Sequence, residues 1–425
     1  MKQSKHNIYY SPKEVRTILE RSIDTALDGL KCYCNDPVSD FTRCRKLPAR
    51  SLIECIMSFS NYSSIGELSH FFVGQGEMPS ASALSQRRQL LDPDIFKRIN
   101  NLFVSAFDDH TTINGYHILA QDGSDVNIPF MDDKTKTEKH DAKSFCQYHV
   151  NALYDCLNKV FYDWSIDAAS KKREVNALIS ILKDRNYPQN SIFTADRGYE
   201  SYNLMAHFIE NDIKFVIRVK DIHTKSGLMT NIKTEEGAFD IRVTRTLTSL
   251  QTKEIKADKE KYIFVPSTSN FDFLDETRDL YDLSFRAVRF KISEDTYETV
   301  VTNLSEEEFK TEDFKELYHY RWNEETAFNK LKYTIGLVYF HARKRKLIQQ
   351  EINAAFLMYN VSEVIIRNIY LKKNKKPELE YDYKPNFSSA VTNIRLYLRK
   401  KINMRELILR IKKFLVAQRQ ERSYE

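Results

Sequence analysis

Four side chains between residues 318 and 332 place charges of both signs on what the sequence predicts to be one helix. They are Tyr318, Arg321, Glu325 and Lys332. At about 100° per residue, these positions fall within an arc of about 60° on a helix predicted over 315–336. The arc lies beside an apolar stripe formed by Phe314, Leu317, Phe328, Leu331 and Ile335. A half-buried row of this kind indicates a site rather than a solvated surface, and the neighbouring Glu324 is expected to project to a different side.

Two upstream aspartates are predicted to lie at the ends of strands. The segment HILAQDGSDVNIPF (117–130) is predicted to be a strand that ends at Asp122-Gly123-Ser124 and continues into a turn, with Asp125 as a turn residue or a supporting acid. The segment SIFTADRGY (191–199) is predicted to be a strand followed by a turn at Asp196. Sites in α/β sheets form at strand ends. We therefore expect Asp122 and Asp196 to lie close together.

Asp122, Asp196 and Glu325 would form a set of three carboxylates if these elements converge. Carboxylates suit Mg²⁺, which prefers hard oxygen ligands and keeps open positions for substrate phosphate. Two such ions about 4 Å apart can activate the attacking and leaving oxygens of a phosphodiester. Spacing alone is a weak signal because the chain has 59 acidic residues. A purely structural alternative is that Arg321 and Lys332 only pair with Glu325 along the helix.

The elements around the three acids follow an α/β order over residues 111–220. A hairpin is predicted over 147–168, helices over 173–185 and 202–211, and a buried strand over 214–219. Residues 221–304, rich in Thr, Val, Phe and Tyr, are predicted to form an antiparallel β insertion. The chain then returns to helix over 305–370, which contains the Glu325 helix, after a capping-box sequence that begins at Ser305.

The first 110 residues are predicted to be helical. The sequence Ser11-Pro12-Lys13-Glu14 is a capping box with proline at the first helical position. Further helices are predicted over 52–58 and after Pro79. The latter is expected to expose Arg87 and Arg88, which could grip DNA, although an ordinary helical bundle explains the region equally well.

Charge is concentrated in the C-terminal region, 371–425, where a charged linker (372–386) precedes predicted helices. The whole chain has a formal net charge of +6, and residues 391–425 contain ten Lys and Arg against three Glu. A concentrated basic segment indicates a polyanionic partner. The alternative is a solvated cationic helix.

Length and composition indicate two or three globular domains without a membrane segment. The 425 residues suffice for several hydrophobic cores. The N-terminus lacks the apolar region of a signal peptide, and the most apolar long segment, 352–366, is too short and too polar to span a bilayer. We therefore expect a cytoplasmic protein, associated with the nucleoid when bound to DNA, whose six cysteines are reduced thiols.

The motifs around the three acids resemble one known family. The pattern Tyr, two residues, Arg, three residues, Glu, six residues, Lys is similar to the signature of the insertion-sequence-four group of transposases, which have a ribonuclease-H-like DDE catalytic core. The D-G-S sequence at Asp122, the T-A-D-R-G-Y sequence at Asp196 and the long β-rich insertion match the group in the same order. The resemblance covers about residues 80–370.

The resemblance implies a function and roles for particular residues. Asp122, Asp196 and Glu325 would hold two Mg²⁺ ions, for which Mn²⁺ would substitute, and Tyr318, Arg321 and Lys332 would contact phosphates near the cleaved transposon end. Arg197 would order its turn or touch DNA. Such a transposase would bind terminal inverted repeats, pair two ends as a homodimer, cut them and join the 3′-hydroxyls to target DNA. Two alternatives stay open: a nuclease without strand transfer, and a non-catalytic DNA-binding inhibitor or regulator.

One departure from the family concerns hairpin formation. Known relatives place an aromatic side chain, often Trp, in the insertion to hold a flipped base. The two tryptophans of this chain, Trp164 and Trp322, lie outside the insertion. Stacking needs only an aromatic face, which the insertion offers at several positions. The candidates are Phe271, Phe273, Tyr281 and Phe285.

Overall fold

The structure is a computed structural model of the 425-residue chain. Two of the sequence predictions fall outside the residues that it describes: most of the linker over 372–386, and Arg419 and Arg422 of the basic tail. The described residues are 1–418 apart from 6–7, 44, 75, 130–135, 138–144, 170–172, 223, 225, 267, 295 and 372–381.

Helices occupy both ends of the chain and alternate with strands in its middle. They are α1 Pro12–Asp28, α2 Ala49–Met57, α3 Ser64–Phe72, α4 Ala81–Leu90, α5 Asp94–Val104, α6 Glu174–Asp184, α7 Tyr202–Glu210, α8 Lys253–Ala257, α9 Asp313–His319, α10 Trp322–Lys330, α11 Arg345–Leu371, α12 Phe387–Leu398 and α13 Met404–Lys413. Short 3₁₀ segments cover Leu30–Tyr33 and Arg197–Tyr199, and a π-helical turn covers Leu331–Ile335.

Strands form one large sheet and two small ribbons. They are β1 Gln3–Lys5, β2 Thr111–Ile113, β3 His117–Ile128, β4 Lys136–Thr137, β5 Phe145–Asp155, β6 Val160–Ala168, β7 Ser191–Ala195, β8 Lys214–Val219, β9 Phe239–Thr248, β10 Tyr262–Phe264, β11 Leu280–Ser293, β12 Thr296–Thr302, β13 Asp382–Pro385 and β14 Leu415–Gln418. The ribbons pair β1 with β2 and β13 with β14.

The centre of the large sheet has the strand order of a ribonuclease-H-like core. Its order is β6-β5-β3-β7-β8, with β5 antiparallel to both neighbours and β7 parallel to β3 and β8. Numbered along the chain, this is the order 3-2-1-4-5. Helix α7 connects β7 to the parallel strand β8. Helix α6 lies between β6 and β7, on the connection that leads from β3 to its parallel neighbour β7. The predicted α/β fold class is confirmed.

The predicted β insertion continues this sheet. Strand β12 pairs antiparallel with β8, and β11, β9 and β10 follow outward. The insertion is therefore joined to the core strands by backbone hydrogen bonds. In the described part of the chain, the combined sheet has ten strands.

Helix α11 joins the N-terminal helices to the sheet. It packs against α1, α2, α4 and α5 on one side and against β6 on the other. Buried side chains from the helical ends and from the sheet form one continuous core cluster. The capping box at Ser11 is confirmed, with Pro12 as the first residue of α1. Within the described residues, no helix is both long enough and apolar enough to cross a bilayer.

The prediction that Arg88 is exposed is wrong. Arg88 is 2% exposed and lies on the same face of α4 as Leu84, one helical turn earlier. Its Nη2 lies 2.7 Å from Glu351 Oε1 on α11, and its Nε donates to Gln350 Oε1. The guanidinium is used to dock α4 on α11. Arg87 is half-buried, donates to the carbonyl of Leu47 and covers the ring of Phe41.

Two predicted element boundaries also differ. Strand β3 does not end at Asp122 but continues to Ile128, because it keeps its pairing with β5 along that whole length. The helix predicted over 315–336 is divided into α9, α10 and the π-helical turn, with a break at Tyr320 and Arg321. The capping-box sequence at Ser305 forms a hydrogen-bonded turn with Glu308 and not a helix start.

Asn360 of α11 satisfies the backbone of β6 where that strand bulges. The register between β5 and β6 shifts next to Phe161, whose N–H donates to Asn360 Oδ1 at 2.8 Å and whose carbonyl accepts from Asn360 Nδ2 at 2.8 Å. Asn360 is fully buried. These two bonds tie the long helix to the edge of the core sheet.

Replacing Asn360 with Leu should therefore lower the free energy of unfolding by about 2–4 kcal/mol, because the buried N–H of Phe161 loses its partner, and the Phe161 carbonyl and Asn100 Oδ1 each lose a hydrogen bond. Urea unfolding followed by circular dichroism measures the change. Asn176→Leu, at an exposed position of α6, is the control and should change stability by less than about 0.5 kcal/mol. Equal effects of the two substitutions would contradict this account of α11 docking.

Candidate active site

The parallel register of β3 and β7 places the two predicted aspartates side by side. Gln121 pairs with Ala195, and the next residue on each strand is Asp122 or Asp196. Strand β7 ends there, so its carboxylate stands at the edge of the parallel ladder. Asp196 Oδ1 accepts a hydrogen bond of 2.8 Å from Gly198 N, which holds the side chain at the start of the 3₁₀ turn.

The third predicted carboxylate reaches this edge through Arg321. Helix α10 packs against β3 and presents Glu325, whose side chain is 41% exposed. Arg321 Nη2 lies 3.1 Å from Glu325 Oε1, and Arg321 Nη1 lies 3.7 Å from Asp122 Oδ2. Burial alone would lower the pKa of Arg321, but the surrounding anionic groups, Asp122 and Glu325 among them, raise it overall. The guanidinium thus links a strand carboxylate to a helix carboxylate.

Burial is the main influence on the ionisation of Asp122. It raises the pKa of Asp122 to about 6. The N–H of Gly123 and the guanidinium of Arg321 act in the opposite direction, and the charges of Asp196 and Glu325 add smaller increases. The site therefore holds a carboxylate whose charged form is destabilised mainly by its removal from water.

The residues fit a hard divalent cation by their chemistry. Asp122, Asp196 and Glu325 offer oxygen donors only, and a bound cation would stabilise the charged form of Asp122, which burial disfavours. As placed, the described residues contain no group of three or more His, Cys, Asp or Glu side chains close enough together to hold a metal ion. Arg321 lies between two of the three carboxylates in this arrangement.

A buried histidine explains the glycine beside Asp122. A Cβ atom at Gly123 would lie 2.3 Å from His149 Nε2, so the imidazole of β5 requires glycine at this position of β3. His149 Nδ1 lies 2.7 Å from Asp125 Oδ1, and its Nε2 lies 3.0 Å from Glu174 Oε1. Burial alone would lower the pKa of His149, but Glu174 and Asp125 raise it overall. Asp125 is therefore a strand residue that pairs with His149 and not a turn residue.

Glu324 is a buried acid of the site that the sequence analysis placed elsewhere. It is fully buried, and burial raises its pKa well above the ordinary value, with the charge of Asp122 adding to the effect. Burial therefore favours the neutral form of Glu324. Its spacing of seven residues from Leu317 and four from Phe328 puts it on the apolar stripe, and this was the signal that it points inward.

Tyr318 and Lys332, the other members of the row predicted on the 315–336 helix, lie apart from each other. Tyr318 is buried, with its ring centroid 5.7 Å from the Arg321 guanidinium carbon. Lys332 lies in the π-helical turn and is half-buried. Burial lowers its pKa, and the neighbouring Asp125 acts in the opposite direction. The structure therefore brings Tyr318, Arg321 and Glu325 together and places Lys332 nearer to the Asp125 side. Arg197 is exposed directly after Asp196.

The four aromatic candidates of the insertion are largely committed to packing. Tyr281 and Phe285 are each 2% exposed, and the Tyr281 hydroxyl donates to Glu210 at 2.9 Å. Phe271 and Phe273 pack against each other and against Tyr281. By contrast, Trp322 is 49% exposed, three residues before Glu325.

The basic C-terminal region contains two kinds of cation. Arg395 and Arg399 of the α12 region are largely buried, whereas Arg405, Lys412 and Lys413 of α13 are exposed. Only the second set can contact a large polyanion directly.

Comparisons with known proteins identify the family of the chain. A family model described as "Transposase DDE domain" matches residues 113–361, more than half of the chain and including all three carboxylates. A solved structure, the cryo-EM structure of the piggyBac transposase synaptic complex with hairpin DNA, aligns with a TM-score of 0.46 and 11% sequence identity over 96% of this chain and 84% of that chain. A likeness this distant supports no statement about activity or ligands. No curated protein matches the sequence.

The raised pKa of Asp122 predicts a pH-dependent stability. The folded pKa of about 6 exceeds the ordinary value of 3.8, so the protonated form favours folding. This stabilisation is fully present below about pH 4 and is lost as the pH rises to about 6. In a chelating buffer, Asp122→Asn should therefore be more stable than the wild type by about 2 kcal/mol at pH 7, with a difference near zero at pH 4.

Urea unfolding at pH 4, 5, 6 and 7 measures this difference. Asp108→Asn, at an exposed position, is the control and should give a difference that does not depend on pH. A constant difference for Asp122→Asn would show that the pKa of Asp122 is not raised in the folded protein.

Proposed function

The chain belongs to the family of transposases with a DDE domain, and from this premise we propose that it is a Mg²⁺-dependent cut-and-paste DNA transposase of the insertion-sequence-four type. In this proposal it binds terminal inverted repeats, pairs two transposon ends as a homodimer, cuts them, and joins the freed 3′-hydroxyls to target DNA. The observation that supports the proposal most strongly is the register of β3 and β7, which aligns Asp122 with Asp196.

Asp122, Asp196 and Glu325 would hold the divalent ions, with Mn²⁺ able to substitute for Mg²⁺. Bound divalent ions would supply Lewis-acid activation of a nucleophilic oxygen and stabilisation of the leaving oxygen. The chain itself contributes the positions of the three acids: the strand register sets two of them, and α10 sets the third.

The cations of the helix row receive different roles in the proposal. Arg321 is buried between Asp122 and Glu325, so it orients these carboxylates and offers its remaining N–H groups to a phosphate that enters between them. Tyr318 supports the Arg321 guanidinium from the buried side. Lys332 supplies a point charge for the phosphate backbone next to the cleaved position.

DNA would extend from this site over exposed cations. Arg197 follows Asp196 directly, and α13 presents Arg405, Lys412 and Lys413. Arg87 and Arg88 are not part of this proposed surface, because both guanidinium groups are engaged inside the helical region. Binding through phosphate contacts requires that affinity falls steeply as the salt concentration rises.

A hairpin step would need an aromatic side chain that can hold a flipped base. Trp322 is more exposed than any of the four aromatic candidates of the insertion, and it lies three residues from Glu325. A base extruded from the duplex needs an exposed aromatic face. We therefore assign the flipped-base role to Trp322 rather than to Phe271, Phe273, Tyr281 or Phe285 if a hairpin forms.

A nuclease without strand transfer is the second candidate for the same three carboxylates. It would cut transposon-end DNA and never yield joined products. A non-catalytic DNA-binding regulator is disfavoured because a binding protein has no need for all three acids, Asp122, Asp196 and Glu325.

Glu325→Gln should retain binding to transposon-end DNA and lose cleavage by roughly 10³-fold or more, the scale expected when a catalytic group is removed. The substitution keeps the shape of the side chain and removes its charge. Binding is measured by gel shift, and cleavage and joining are measured on labelled end fragments with Mg²⁺.

Glu312→Gln, an exposed acid at the start of α9, is the matched control and should cleave as the wild type does. Normal cleavage by Glu325→Gln would remove Glu325 from the site. Cleavage by the wild type without joined products would favour the nuclease.

A further inference from the structure

A chain of buried charges alternates in sign through the helical region. Arg88 contacts Glu351 at 2.7 Å, Glu351 lies 3.2 Å from His341 Nδ1, and His341 Nε2 lies 3.4 Å from Glu67 Oε1. Burial alone would lower the pKa of His341, but Glu351 and Glu67 raise it to about 9. His341 is therefore a cation at neutral pH, and each charge up to Glu67 has a neighbour of the opposite sign.

The alternation ends at two arginines that share one acid. Arg395 and Arg399 both interact electrostatically with Glu67, which already accepts hydrogen bonds from Ser60 and Tyr62. Neither arginine forms an ion pair of its own within the described part of the chain. Arg395 Nη2 donates to the carbonyl of Ile335 at 2.8 Å, and Arg399 Nη2 donates to the carbonyl of Ser58 at 2.9 Å.

Incomplete compensation at these two arginines is reflected in their pKa values. Burial lowers the pKa of Arg395 to about 10 and also lowers that of Arg399. Among the residues that the structure describes, the buried Nε atoms of both side chains have no hydrogen-bond partner. A buried cation without a matching anion is costly.

Both arginines line a cavity between α1, α2 and α12. Its volume is about 480 Å³, within the range of small-molecule sites. Five cationic and three acidic side chains line it, an excess of two positive charges. The cations are Arg16, Arg50, Arg395, Arg399 and Lys400, and the acids are Glu20, Asp24 and Glu54.

The acids are already paired with the other cations of the cavity. Arg50 contacts both Asp24 and Glu54, and Glu20 lies 3.8 Å from Arg16 and 4.0 Å from Lys400. These pairings leave the excess charge on Arg395 and Arg399. A small dianion bound in the cavity would balance this excess charge.

We propose that this cavity is a binding site for a small phosphoryl ligand, held by Arg395 and Arg399. Guanidinium groups bind phosphate oxygens through paired N–H donors in a planar fork. A phosphate monoanion or dianion offers three or more acceptor oxygens, and its charge at neutral pH approaches the excess of two. This proposal does not depend on the proposed transposase activity, because the site uses none of the three carboxylates.

A ligand in the cavity would affect the π-helical turn that contains Lys332 through Arg395. Its Nη2 binds the carbonyl of Ile335, the last residue of the π-helical turn that contains Lys332. A ligand that fixes the Arg395 guanidinium therefore also fixes the end of this turn.

The test is phosphate binding to the full chain in a metal-free buffer. Calorimetry and thermal unfolding are performed with inorganic phosphate and, separately, with potassium chloride at the same ionic strength and pH. We expect saturable binding and a rise in unfolding temperature with phosphate beyond that with chloride. Equal effects of the two salts, without saturable binding of phosphate, would overturn the proposal.

Variants locate the bound phosphate. Arg399→Gln should weaken phosphate binding by about tenfold or more, as expected for loss of a charge-assisted hydrogen bond. Arg405→Gln removes the same charge from the exposed face of α13 and should bind phosphate as the wild type does. Unchanged affinity of Arg399→Gln would overturn the proposal.

Two further measurements guard against misfolding and distinguish ligands. Arg399→Lys keeps the charge and loses the planar fork of N–H donors. It should fold, as judged by circular dichroism, and bind phosphate several-fold more weakly than the wild type. Wild-type affinity in this variant would contradict the forked contact. Adenosine monophosphate is titrated in the same way. Tighter binding than inorganic phosphate identifies a nucleotide site, and weaker binding identifies a free-phosphate site.

Discussion

Burial of an ionisable carboxylate beside two others is the constraint on which the organisation of the site depends. The β3–β7 register sets Asp122 beside Asp196, and α10 adds Glu325. Burial raises the pKa of Asp122 to about 6; the N–H of Gly123 and Arg321 oppose this rise, and the two neighbouring carboxylates add to it. An arrangement that costs folding free energy in this way persists when it serves a function. The function that we propose for it is the binding of divalent cations.

The rest of the molecule keeps these acids from moving apart. Strand β3 lies in the interior of the sheet, between β5 and β7, and the insertion extends that sheet beyond β8 through β12. Helix α11 then covers the core, binding α4 through the buried Arg88–Glu351 pair and β6 through Asn360 and the backbone of Phe161. Polar contacts of this kind require one register, since a shift of the helix would leave each of them unpaired.

The sequence predicted most of the elements of the core. Periodicity and turn residues located the hairpin, the two crossover helices and the short strand before Asp196, because these elements have simple amphipathic or buried patterns. The end of β3 was misjudged, since Asp122-Gly123-Ser124 looks like a turn locally. Only the tertiary structure shows that Gly123 makes room for His149 of the neighbouring strand.

Buried charge was the second failure of prediction. Glu324 and Arg88 both lie on apolar faces, but a charged side chain is ordinarily exposed, so Arg88 was expected to be exposed and Glu324 was expected to project away from the site. Their partners, Asp122 and Glu351, are 202 and 263 residues away in sequence. Such pairings cannot be read from local spacing. The division of the basic tail into buried and exposed cations was hidden for the same reason.

Direct measurement of metal binding tests the central claim that the three carboxylates form one cation site. Mn²⁺ titration followed by electron paramagnetic resonance reports bound ions without any DNA or reaction. The account predicts saturable Mn²⁺ binding to the wild type and affinity at least about tenfold weaker in Asp196→Asn, because one of three shared ligands is lost. Binding that is equally tight in Asp196→Asn, or absent from the wild type in both the presence and the absence of transposon-end DNA, would contradict it.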